Sequence, residues 1–138
     1  MLLKFRLRSE KELYSRLKKK QFDEAIIKET LSFLKDNGFI DDKSFAKTWI
    51  ESRIKKPLGL RRLSVELKLK GIDKEIIDSQ LEEIRKDYSE EDVVTRIAKE
   101  RFSKLKAIEP QKAKRRIFTY LLRRGFSPVI VIDVVNQL

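Results

Sequence analysis

The sequence predicts an all-α protein of tandem three-helix repeats forming a curved, elongated array. Three observations carry that prediction: a repeated apolar pattern, a repeated grammar of helix starts and stops, and a charge distribution with the same period. Leu63, Leu67, Ile72, Ile76, Ile77, Leu81 and Ile84 recur fifty residues earlier as Leu13, Leu17, Phe22, Ile26, Ile27, Leu31 and Leu34. They recur fifty-four residues later as Ile117, Leu121, Phe126, Ile130, Val131, Val135 and Leu138. A fixed period of this size marks a helical repeat, in which each unit buries its apolar face against its neighbours. At 138 residues, 41% apolar and 40% charged, the chain can build a core beneath a densely charged surface.

Residues 1–8, MLLKFRLR, read as the last turns of a leading helix. Ser9 and Glu12 form a capping box: the serine oxygen takes the amide of the third helical residue, and the glutamate reaches back to the serine amide. The helix over about 10–20 turns Leu13, Tyr14 and Leu17 inward and ends in Lys18-Lys19-Lys20, where the helix dipole favours cations. Asp23 caps the next helix, which Asn37-Gly38 stops. Asp41-Asp42 opens a third, with Phe45, Trp49 and Ile50 inward, ending before Pro57.

The second copy repeats this grammar. Gly59 starts a helix that Gly71 ends, Asp73 caps the next, and Ser89 opens another with Val94, Ile97, Ala98 and Phe102 inward. The third copy starts near Pro110, since proline suits the first helical turn, and breaks at Gly125. Ser127-Pro128 starts the last segment. Its β-branched composition suggests a strand, but its register with Ile76–Ile84 predicts a helix. The expected repeats are 1–38, 39–88 and 89–138, the first missing most of its first helix.

Charge follows the same period. Residues 9–22 carry +3, residues 59–72 +3 and residues 110–126 +6, whereas 23–37 carry −2 and 73–87 −3. Stacked repeats would therefore line one side with Lys18, Lys19, Lys20, Arg61, Arg62, Lys68, Lys70, Lys112, Lys114, Arg115, Arg116, Arg123 and Arg124. Helix electrostatics alone accounts for cations at helix ends. It does not account for Arg61-Arg62 or for Lys112–Arg116 near helix starts. The threefold recurrence, with a net charge of +11, favours a polyanionic partner such as a phosphate backbone or an acidic protein groove. Arginine pairs suit bidentate contacts to phosphate or carboxylate.

Several chemistries are disfavoured. The chain has no histidine and no cysteine, which removes the commonest general base, disulfides and any ordinary zinc site. Asp41-Asp42 and Glu90-Glu91-Asp92 sit at helix starts, where acids complement the dipole, so no metal is expected there. The four glycines fall at helix ends and leave no phosphate-cradling loop; no cofactor is expected. Phe22, Phe45, Trp49 and Phe126 hold repeat-core positions and form no base-stacking platform. No apolar run is long enough to span a membrane, and the first residues make no signal peptide. The expectation is a cytoplasmic, monomeric binding protein and not an enzyme.

Four segments, RSEKEL (8–13), NGFIDDKSFAKTWIESR (37–53), GLRRLSVELKLKGI (59–72) and LLRRGF (121–126), resemble the RecX family of bacterial regulatory proteins. The resemblance extends from about Arg8 to Leu138. It implies tandem three-helix repeats and modulation, mostly inhibition, of the RecA recombinase. It further implies a protein lying in the groove of the RecA–single-stranded DNA filament, restraining its growth, ATP hydrolysis, strand exchange and coprotease activity. The residues by themselves also allow a non-specific DNA-binding helical protein. Two features depart from the family pattern: the short leading helix, and Gln21 standing where Gly71 and Gly125 stand in the other copies.

Overall fold

The computed structural model describes residues 8–138. Among them the protein is all-α, with no strand. The helices are α1 (Glu10–Lys19), α2 (Glu24–Asp36), α3 (Asp42–Arg53), α4 (Leu60–Leu69), α5 (Lys74–Arg85), α6 (Glu90–Lys104), α7 (Pro110–Arg123) and α8 (Pro128–Asn136). The expected leading helix falls on 1–7, outside the described residues, and Arg8 is not helical.

The caps follow from local chemistry. Ser9 Oγ accepts the Glu12 N–H at 3.1 Å, and Glu12 Oε1 accepts the Ser9 N–H at 3.2 Å, completing the capping box. Asp41 Oδ1 accepts the N–H groups of Lys43 and Ser44 at the start of α3. Asp23 and Ser127 occupy N-cap positions but make no side-chain capping bond. The β-branched last segment is helical, with Val131, Val134 and Val135 buried. Burial in the core outweighs its weak helix propensity.

The chain divides into two compact units, and the division runs through α4 and α5. One unit holds the residues up to Ser52 together with Glu66–Gln80. In it α1 packs on α2 around Leu13, Ile27, Leu31 and Ile40. The other unit holds Arg53–Val65 and Leu81–Leu138. There α6, α7 and α8 pack mutually around Val94, Ile97, Ile117, Leu121, Phe126 and Val131.

The sevenfold apolar register is buried or half-buried throughout the second and third copies. In the first copy Phe22 and Ile26 are 46% and 49% exposed, although both hold positions read as core; Phe126, the equivalent of Phe22, is 1% exposed. Phe126 lies in a cluster with Val94, Ile97 and Ala98 of α6.

One polar junction is built in each unit. In the first, Ser9 Oγ donates to the Lys70 carbonyl at 2.7 Å and the Glu10 N–H donates to Asp42 Oδ1 at 3.0 Å. In the second, the Gly59 N–H donates to the Arg124 carbonyl at 2.9 Å and the Leu60 N–H donates to Glu90 Oε1 at 2.6 Å. Ser9 and Gly59 are fifty residues apart, Asp42 and Glu90 forty-eight, and Lys70 and Arg124 fifty-four, so the partners are related by the repeat offsets. Each acid thus sits at the start of its own helix and also satisfies an orphan amide at the start of another. Glu90 Oε2 additionally accepts the Ser127 N–H at 3.4 Å, at the start of α8. Gly59 has no alternative residue here: an added Cβ would enter the backbone of Gly125.

Candidate basic interface

The structure places the thirteen cations singled out from the sequence in different surroundings. Lys18 is exposed but paired: its Nζ lies 2.8 Å from Glu24 Oε2, and the Tyr14 hydroxyl donates to the same carboxylate. These two donors, Lys18 first, hold the Glu24 carboxyl below its ordinary value. Lys70 is half-buried, with Nζ 3.3 Å from Glu12 Oε2 and 5.1 Å from the centre of the Trp49 ring. Trp49 in turn donates its Nε1–H to Glu66 Oε1 at 3.0 Å.

Arg124 is half-buried as well. Its Nε and Nη2 both donate to the Pro57 carbonyl, at 3.1 and 3.0 Å. Lys70 and Arg124 are repeat equivalents, and in each unit that position braces the junction. Lys19, Lys20, Arg61, Arg62 and Lys68 are exposed, and Lys114 is half-buried. The backbone and Cβ of Arg62 lie against Gly125.

Four of the thirteen are brought together on one surface. Lys112, Arg115, Arg116 and Arg123 line a cleft of about 480 Å³ on α7, with Thr119 and Tyr120 and without any carboxylate. The amphipathic register of α7 explains this. Ala113, Ile117 and Leu121 face the core, so the cations between them face outward. Pro110 and the Glu109 side chain, which accepts the N–H groups of Gln111 and Lys112, fix the start of the helix.

Sequence reasoning missed a second group. Arg96, Arg101 and Lys104 of α6 line a cleft of 310 Å³ with Glu100, Pro57 and Tyr120. The available signal was spacing: Arg96, Glu100 and Lys104 fall at i, i+4 and i+8, on one helical face. Tyr120 is a wall of both clefts, and the Arg101 guanidinium carbon stacks 3.4 Å from the centre of its ring.

The acidic clusters have structural roles. Burial raises the Asp42 carboxyl above its ordinary value; the charges of Glu10 and Asp73 push the same way, against the Glu10 N–H bond that lowers it. Among the described residues no group of three or more acids could hold a metal ion. No helix among them is long and apolar enough to cross a membrane.

Three-helix units with capped short helices and a recurring junction define a helical-repeat protein. Family models for the first, second and third three-helix domains of RecX match residues 1–34, 41–81 and 89–135. The chain belongs to the RecX family of regulatory proteins. It is 36% identical over 140 residues to Regulatory protein RecX of Mycobacterium sp. (strain KMS), covering 98% of this chain and 76% of that protein. It is 37% identical to that of Chlorobium phaeobacteroides (strain BS1), covering 99% and 88%. With the Finegoldia magna protein the identity is 36%, covering 99% of this chain and 65% of that one. The crystal structure of RecX from Lactobacillus salivarius shares the fold, with a TM-score of 0.85 at 23% identity over 99% of this chain and 89% of that chain.

Proposed function

We propose that this chain regulates the RecA recombinase by binding in the groove of the RecA–single-stranded DNA filament, for the most part inhibiting recombinase, ATPase and coprotease activities. The single observation that carries a binding role is the acid-free cleft on α7, where Lys112, Arg115, Arg116 and Arg123 converge. Cations left without internal partners at such density are suited to an extended polyanion. Membership of a regulatory family and the motifs at 37–53 and 59–72 point to the filament as that polyanion. Repeats at 1–38, 39–88 and 89–138 would present Lys19, Lys20, Arg61, Arg62 and Lys68 to the same partner. The protein acts by binding and not by catalysis, consistent with a chain that has no histidine or cysteine. It works in the cytoplasm as a monomer.

Charge reversal at Arg115→Glu with Arg116→Glu tests this reading. Both side chains are exposed, so the fold should persist. Co-sedimentation with RecA filaments should weaken by about tenfold or more, as expected for two lost charge-assisted contacts. Undiminished binding by the folded variant would remove α7 from the interface.

A further inference from the structure

We infer that this chain associates weakly with a second copy of itself, the outer face of α2 of one copy seating on the outer face of α4 of the other. The association goes beyond the filament reading. It covers Arg61 and Lys68, so the monomer remains the form that acts on other partners; that consequence alone rests on the filament reading.

The two faces carry one pattern with opposite charge. On α2, Glu29, Phe33 and Asp36 stand at i, i+4 and i+7; on α4, Arg61, Val65 and Lys68 stand at i, i+4 and i+7. That spacing sets each trio along one side of its helix. All six residues are exposed, Phe33 by 60% and Val65 by 56%, and Leu69, one turn beyond Val65, is exposed by 75%. Each face is thus an apolar residue between two like charges. The charges match whether the two helices run parallel or antiparallel. Apolar centres with complementary charge around them are how an interface combines affinity with specificity.

Neither the repeat nor helix electrostatics accounts for these residues. The repeat equivalents of Val65 are Ser15 and Thr119, those of Leu69 are Lys19 and Arg123, and those of Phe33 are Glu83 and Gln137. The fold therefore accepts polar side chains at all three positions. Asp36 closes α2 and Arg61 lies in the first turn of α4, where the helix dipole disfavours their signs. Two neighbours of the opposing sign are engaged elsewhere: Lys35 Nζ lies 3.2 Å from Glu10 Oε2, and Glu66 Oε1 accepts the Trp49 Nε1–H at 3.0 Å. A polyanionic partner would use the α4 face and leave the α2 face idle, whereas a second copy supplies the complement of both.

The test is sedimentation velocity of the full chain without RecA, from about 1 μM to about 1 mM. Salt at about 0.15 M screens the repulsion between two basic copies. Its failure stays distinct from failure of the filament reading. The sedimentation coefficient of the parent should rise with concentration. Glu29→Lys with Asp36→Lys, or Arg61→Glu with Lys68→Glu, should each abolish the rise, because like charges then meet. An equimolar mixture of the two variants restores opposite charges across both contacts and should recover it. Circular dichroism checks that each variant keeps its helices, and the recovery itself requires both to be folded. Undiminished association of either variant alone, or a mixture that stays monomeric, would overturn the inference. So would a parent that stays monomeric throughout; loss of filament co-sedimentation on Leu69→Ser would then assign the α4 face to the filament instead.

Discussion

Gln21 is the residue at which the three copies differ most sharply. Its φ is +67°, in the left-handed region, where Gly71 and Gly125 stand at +81° and +87°. All three follow a helix and reverse the chain, so the backbone requirement is the same and only the side chain differs. A Cβ in this region costs about 1 kcal/mol or more. Gln21→Gly should therefore raise stability by about 1 kcal/mol, less the entropy returned to the unfolded chain, read as a higher urea midpoint at unchanged slope. A lower midpoint would mean that Gln21 makes a contact worth more than its strain. The departure from glycine was legible in the sequence. The fates of Lys70 and Arg124 were not: both counted as binding cations, yet one pairs with Glu12 over Trp49 and the other braces the Pro57 carbonyl. A residue's charge is visible in sequence; its partner sixty residues away is not.

At the scale of helices, starts and stops were the most legible feature. A capping box, prolines at first turns and glycines after last turns are local chemistry, and the helices begin and end where these signals stand. The apolar register also identified α8 as a helix against its β-branched composition. The same register misplaced Phe22 and Ile26, because periodicity reports which face is apolar and not whether another element covers it. The junction acids were half legible. Asp42 and Glu90 were read as favourable charges at their own helix starts, whereas each also accepts an amide from the start of a different helix. Glu90→Ala should destabilise the protein by about 2 kcal/mol, the usual cost of removing a charged acceptor from a buried donor. Hydrogen exchange should speed up at the amides of Leu60 and Ser127 before it does in the middle of α7. Unchanged protection at Leu60 would show that water replaces the carboxylate without loss.

For the molecule as a whole, the sequence carried the fold class through its internal repeat, while the kind of partner that its charge suggests is part of the proposal. The candidate interface was legible in part. Lys112, Arg115, Arg116 and Arg123 converge on one cleft, but the α6 cations beside them went unnoticed, since net charge over 89–109 hides a face that is basic on one side. The central claim is the proposed regulation of the RecA filament. The most direct measurement is ATP hydrolysis by the cognate RecA on single-stranded DNA, with this protein added in substoichiometric amounts. Hydrolysis should fall, because a binder in the filament groove acts on many RecA subunits through the few it touches. Full hydrolysis in the presence of the folded protein would contradict the claim.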